Sequence, residues 1–422
     1  MLKFSKSKLR IFLFLVTFII SLIGSTLLKG IGIYLAGLDY IALVILFFFN
    51  ILIGFQVFNV EKKYFFAFLT LLSFILINYF FSQYIPGLTW FLIGTVFTLL
   101  PLFTFIFFYN VKIHLADFNK LLDYIVFTCD TLIILTLFET IFIGEGREFL
   151  NSSLLKTPAF ATTLSNISLT ITLRKLIQTK RRKYFIKAFF YIAFIFSALS
   201  LKSIISCFII IFLFIRYSNY IKIPRWSIML LLIGLPLLIL LNPSLNHKLK
   251  RYYFLYYQSE NASSTPRFAL YFTSFNLAND HFPMGSGQAT FGSYPVNINY
   301  SDVYYDYNLN YLHGLGSEST INGTSKDKFL LDTYWSSILG EVGFLGFALF
   351  LWLYFYPIKR LNKAYALNLN NGFNDKSDML FVKGILFSVF FESLVLAIPS
   401  QVAFILIYAG LMGLISNIRM YD

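Results

Sequence analysis

At 422 residues, with 58% hydrophobic side chains, 13% charged ones and 52 Phe, the chain carries more apolar surface than a soluble globule of its length could cover, because such a fold needs a polar coat. Its net charge of +14 would point to nucleic acid in a soluble protein; in a bilayer protein the same excess is the Lys and Arg that hold cytoplasmic loops in place. The only cysteines, Cys129 and Cys207, both sit in apolar runs, which excludes a disulfide framework and a cysteine-based metal site.

The N-terminal MLKFSKSKLR followed by IFLFLVTFIISLIG has the charge and apolar profile of a signal peptide but no clear small-residue cleavage site, so it reads as a retained first span. A span needs roughly 20 mostly apolar residues, and the chain supplies about 12 such stretches. They lie near 11–28, 38–58, 64–82, 86–108, 121–143, 158–176, 184–201, 203–219, 226–242, 334–356, 379–397 and 400–417. Pro86, Pro243 and Pro399 fall near proposed ends, where a missing N–H costs least. No fixed-period repeat interrupts the pattern. The expectation is an all-α, polytopic integral membrane protein forming a single membrane domain over 1–422.

Threading the spans from a cytoplasmic N-terminus puts KSKLR, EKK, the KRRK run at 180–183, RYSNYIKIPR and IKRLNK on one side. Most of the 34 Lys and Arg then share that side, as the positive-inside rule expects, and both termini are cytoplasmic. The same threading leaves one large external loop, 243–333, between spans 9 and 10. Its charges nearly cancel and it is dense in tyrosine. A connection of that length is either functional or disordered, and the aromatic content argues for a folded cap.

Within the cap, Thr265 and Pro266 predict a helix start, a capping hydroxyl followed by proline at the first helical position. Phe268, Tyr271, Phe272 and Phe275 recur at helical spacing and form an apolar face suited to the membrane surface. Arg267 falls in the first turn, where a cation opposes the helix dipole and needs compensation. It either snorkels to lipid headgroups or joins the free N–H groups in holding an anion, for which a phosphate is best suited. The turn at Gly285 and Gly287 is of a kind whose N–H groups can also cup an anion.

Lys202 interrupts an apolar run on the external side, as a functional partner or a residue reaching the headgroups. Arg147 is external too, in an ordinary polar loop. His281 and His313 lie alone in the loop without metal-ligand spacing around them, so no metal is expected. Asp130 and Glu139 lie within an apolar stretch and carry no assigned role. Asp332 and Glu341 bracket the return to the membrane in LLDTYWSSILGEVGFLG, where either could approach a substrate hydroxyl as a base. The tyrosines of YSDVYYDYNLNY could stack on sugar rings or sit at the interface. There is no Walker lysine loop, HExxH, G-x-S-x-G or dinucleotide fingerprint, so nothing supports ATP hydrolysis, zinc proteolysis, elbow-type hydrolysis or hydride transfer.

The dozen spans, the late external loop, the arginine opening a helix in it, the following F-P-M-G-S-G-Q-A-T-F-G and the span beginning D-T-Y-W-S-S-I-L-G-E-V-G-F-L-G resemble the O-antigen polymerase and ligase superfamily. The likeness covers topology over the whole chain and motifs over about 200 to 346. The resemblance implies a metal-independent glycosyltransferase without cofactor, acting on the external face of the bacterial cytoplasmic (inner) membrane. Its donor and acceptor would be oligosaccharides on undecaprenyl diphosphate. Its partners would be membrane lipid, a chain-length regulator and a flippase, with no nucleic acid. In that family an external cation between two central spans and the loop arginine hold the donor diphosphate; the matching positions are Lys202 and Arg267. The family more often has arginine at the first, and lysine cannot make the bidentate contact. Ligases of the family carry a histidine just before the span after the loop. This chain has Asp332 and Thr333 there, which tilts the expectation to a polymerase of O-antigen or capsular repeats, with a ligase as the alternative. The rival from another class is a lipid-linked oligosaccharide flippase, for which short loops and cations lining a cavity within the spans are expected.

Overall fold

The computed structural model describes residues 6–24, 38–53, 61–142, 158–198, 200–217, 265–320, 323–324, 328–368, 376–394 and 401–421. Among them the chain is all helical, without a strand. The main helices are α1 (Lys6–Gly24), α2 (Leu38–Leu52), α3 (Lys62–Phe81), α4 (Leu88–Tyr109), α5 (Leu115–Phe142), α6 (Pro158–Thr179), α7 (Arg182–Ser197), α8 (Leu201–Tyr217), α9 (Pro266–Asp280), α10 (Tyr334–Asn368) and α11 (Lys376–Glu392). The chain then runs through Val402–Ile405, a π-helical turn at Leu406–Gly410 and Leu411–Tyr421, together α12. Three of the described helices are long and apolar enough to cross a membrane: α3, α4 and α10 over Tyr334–Lys363; α2 and α12 are apolar but shorter. The expected ninth span at 226–242, the first part of the loop at 243–264 and Arg147 lie outside the described residues.

Aromatic side chains knit the bundle. Phe47 meets Phe107 with ring centroids 4.4 Å apart, and Trp335 meets Phe390 at 4.8 Å and Tyr354 at 5.3 Å. Outward-facing Phe48, Phe66, Phe80, Phe185 and Phe189 are exposed, an arrangement that suits hydrocarbon and not water. By contrast α6 is enclosed: Thr162, Thr163, Ser165, Asn166, Ser168, Thr170, Thr172 and Arg174 are all buried. Three of its polar side chains are matched along the antiparallel α11. Asn166 donates to Glu392 at 3.0 Å, Arg174 to Asp378 at 2.6 Å and Gln178 to Ser377 at 3.0 Å. Between these rungs Gly384 lets Thr170 approach, since a Cβ there would meet Thr170 Cγ2 at 2.7 Å.

Polar contacts join the helix ends in two sets. At one end, Ser7 donates to Asp117, Arg10 to the Lys112 carbonyl, and Arg360 bonds both Glu61 and Tyr109. At the other, the ends of α3, α4, α8, α10 and α11 meet the segment 265–333. Each contact in either set joins ends that an alternating threading puts on one side.

The segment 265–333 has a core of its own, built on Leu270, Leu277, Phe291, Val296, Val303, Tyr304, Leu309, Leu315 and Leu330. It is fastened to α10 where that helix breaks at Gly343, with φ 69° and ψ −178°. The break releases the carbonyls of Gly340 and Glu341 from their helical partners. Ser286 N–H takes the first at 2.8 Å and Gly287 N–H the second at 3.0 Å. Asn78 on α3 adds bonds to the Met284 carbonyl at 2.7 Å and the Glu341 carbonyl at 3.2 Å.

Candidate functional site

Helix α9 begins where the sequence predicts, with Thr265 preceding Pro266. The Thr265 hydroxyl makes no capping bond and is buried without a hydrogen-bond partner among the described residues. Arg267 is therefore a cation in an uncapped first turn, and its compensation comes from far along the chain. Its Nε donates to Asp332 Oδ2 at 2.9 Å and its Nη2 lies 2.7 Å from the same oxygen. The guanidinium also sits over the Phe329 ring at 6.0 Å. Phe329 in turn meets His313 edge-on at 6.2 Å, which brings His313 to the margin of this cluster.

The buried face of α9 is made of Ala269, Leu270, Thr273, Ser274, Leu277 and Ala278, small enough for close packing. Phe268, Phe272 and Phe275 point outward and are exposed, with Phe268 and Phe272 stacked at 6.3 Å. Tyr271 ties α9 to the end of α11 by donating to the Leu394 carbonyl at 2.8 Å.

Lys202, the second residue of α8, faces the same place. Its Nζ is 3.4 Å from Glu392 Oε2, and the two side chains are 11% and 0% exposed. It lies close enough to Arg267 and Asp332 to feel both charges. Two cations and two carboxylates from α8, α9, α11 and the approach to α10 thus converge. Burial pushes the Asp332 carboxyl above the ordinary aspartate range, against the opposing pull of Arg267 and, more weakly, Lys202. Such a cluster can present guanidinium and ammonium donors to a dianion while keeping a carboxylate beside the leaving or attacking oxygen.

Gly285, Gly287 and Glu341 form a second locus. The Gly285 N–H is given to the His281 carbonyl at 3.0 Å, within the turn itself, and the Gly287 N–H to the Glu341 carbonyl, which fastens the turn to α10, so both are already engaged. Glu341 is buried; its Oε1 accepts from Thr290 N–H and Phe291 N–H at 3.0 Å each and from Ser293 Oγ at 2.6 Å. Its carboxylate is the hub of the cap's attachment. His281 packs on Tyr84, with ring centroids 5.4 Å apart. Asp130 accepts from Lys187 and Tyr191 on α7. The Glu139 side chain lies outside the described residues.

The sequence reading passed over Glu392 and Asn166. The signal was present: a carboxylate in FSVFFESLVLAIP and an amide in the middle of a proposed span are costly in a bilayer and demand partners. Among the described residues no group of three or more His, Cys, Asp or Glu is placed to hold a metal ion. No protein-family model matches the chain, and no curated protein matches it at a significant level.

Proposed function

We propose that this chain is a membrane glycosyltransferase that polymerises oligosaccharide repeats carried on a polyprenyl diphosphate, at the external face of the bacterial cytoplasmic membrane. The observation that carries the reading is the convergence of Lys202 and Arg267, 65 positions apart in sequence, at a partly open point beneath the cap. An acceptor hydroxyl attacks the anomeric carbon of the donor, the C–O bond to the diphosphate breaks, and the electron pair leaves with the phosphate oxygen. Negative charge on that oxygen grows along the way, so cations held against it stabilise the transition state more than the ground state. Asp332 takes the Nε–H of Arg267 and lies 2.7 Å from Nη2, and Nη1 has no partner among the described residues. The hydroxyl proton goes to Asp332, whose raised proton affinity suits it to that role. The bundle of three spanning-length helices with two shorter apolar ones supports a membrane setting. The separation of the polar helix ends into two sets agrees with a cap on one face and the basic loops on the other.

The test is the length distribution of surface polysaccharide in a strain lacking the gene and complemented with wild type or Arg267→Ala. Glycan capped with a single repeat in both the deletion and the variant, at normal protein level, is the expected result. An unchanged ladder with Arg267→Ala refutes the assignment. A flippase reading is favoured by one observation, the buried Arg174–Asp378 pair within the bundle. It predicts glycan wholly missing from the surface, as a ligase reading does.

A further inference from the structure

Lys202 is a long flexible cation at the top of a helix, and left to itself its ammonium would extend toward water or headgroups. The structure instead surrounds it with a carboxylate held in place. Glu392 is fully buried, a position that costs several kcal/mol for a lone carboxylate, and it sits at the end of α11 after the apolar run ILFSVFF. One of its oxygens, Oε1, accepts from Asn166 Nδ2 at 3.0 Å. The same amide nitrogen reaches the Ser203 carbonyl at 3.0 Å, so Asn166 joins the end of α11 to the first turn of α8. Ser203 is fixed further by Thr162 at 2.8 Å.

The second oxygen, Oε2, faces the Lys202 ammonium at 3.4 Å, and neither atom has a hydrogen-bond partner among the described residues. The attraction at this distance fixes where the buried ammonium sits, and none of its N–H groups is given in a hydrogen bond to a described residue. Arg267 is held differently, with its Nε–H already given to Asp332 and its Nη2 paired 2.7 Å from the same oxygen.

The geometry points to Glu392, clamped by Asn166, as a positioning residue that aims the Lys202 ammonium at an anionic ligand beside Arg267. The ligand class is a lipid-linked diphosphate, and the inference rests on the function proposed above. A purely neutralising carboxylate would matter for folding alone. A positioning carboxylate matters for ligand affinity, and only while Lys202 is present.

A double-mutant cycle separates the two. Full-length protein in nanodiscs is titrated with undecaprenyl diphosphate, with undecaprenyl monophosphate as the reference lipid, for wild type, Lys202→Gln, Glu392→Gln and the double variant. The expected result is about tenfold weaker diphosphate binding for Glu392→Gln, about 1.4 kcal/mol, and no further loss when that change is added to Lys202→Gln. Equal losses in both backgrounds, or a silent Glu392→Gln beside an impaired Lys202→Gln, overturn the positioning role. Should Glu392→Gln fail to fold, Asn166→Ala keeps both charges and removes the clamp on Oε1 together with the bond to the Ser203 carbonyl; its smaller loss must likewise vanish in the Lys202→Gln background, and persistence there overturns the role. Failure of wild type to bind undecaprenyl diphosphate, or binding unaffected by both Lys202→Gln and Arg267→Ala, refutes the proposed function itself.

Discussion

Glu341 is the residue at which a structural and a catalytic role diverge most sharply. Its Oε1 accepts two backbone N–H groups, of Thr290 and Phe291, and the Ser293 hydroxyl. With its amide nitrogen turned toward the carboxylate, Gln288 adds a bond to Oε2 at 3.2 Å. Glu341→Ala leaves two buried amides and a hydroxyl without their acceptor. At about 1–3 kcal/mol for each stranded group, the cost is about 3–9 kcal/mol, enough to detach the cap from α10. Glu341→Gln keeps an Oε1 acceptor in place and loses only the charge assistance, at a cost of about 1 kcal/mol. Thermal unfolding of the purified protein in detergent, read alongside polymer formation, gives both quantities. The expected order is wild type, then Gln close behind, then Ala far below, with polymer still made by the Gln variant. A well-folded Glu341→Gln protein that makes no polymer would refute the structural role and make the carboxylate a participant in the chemistry. Equal destabilisation by Gln and Ala would show that the three hydrogen bonds are not what the side chain supplies.

Asp332 gives a pH signature with opposite signs in two assays. Its raised proton affinity means that polymer formation falls on acidification at a pH above the ordinary aspartate value of about 3.9. A carboxyl whose folded value is raised contributes stability at low pH that is lost as pH rises through that value, so stability climbs over the window in which activity falls; parallel slopes in the two profiles would remove Asp332 as the base. For the enclosed pair, Asp378→Asn strands Arg174 and costs about 3–5 kcal/mol, whereas Arg174→Met with Asp378→Leu costs far less; thermal unfolding ranks them, and a milder single variant would contradict the ion-pair account. Gly285 and Gly87 both adopt positive φ, 72° and 131°, but only a Cβ at Gly285 meets backbone, 2.5 Å from both the Gly340 carbonyl and Gly343 N. Gly285→Ala is therefore expected to lower the unfolding temperature well beyond Gly87→Ala, and equal shifts would mean that the close approach to α10 is dispensable.

Local chemistry was legible and distant pairing was not. The Thr265–Pro266 helix start followed from residue type, and so did the need of Arg267 for a compensating charge, because both are properties of one helical turn. That the compensation is Asp332 depends on a fold that brings positions 267 and 332 together, and periodicity carries no such information. The outward Phe268, Phe272 and Phe275 follow the expected stripe, whereas Tyr271, expected on the same face, turns inward to the Leu394 carbonyl. The small residues beneath them, which set how closely α9 lies on α10, give no periodic signal of comparable strength. Gly343 looks like any glycine in an apolar span; it breaks α10 because Ser286 and Gly287 supply donors to the released carbonyls. Glu392 could have been found by asking what a carboxylate in an apolar run needs. Asn166 could have been found in the same way.

The polar enclosure of α6 also bears on how the chain is made. On its own this segment, with Asn166, Arg174, Lys175 and a run of Ser and Thr, is a poor candidate for insertion, since each buried charge at the centre of a bilayer costs about 3 kcal/mol on insertion scales. Its matching carboxylates, Asp378 and Glu392, leave the ribosome some 200 residues later. Until they arrive, α6 has to shelter against α5, α7 and α8 or be held by the insertion machinery. The bundle on the Lys202 side can then close only once α11 is in place, so that the candidate site is completed among the last steps of assembly.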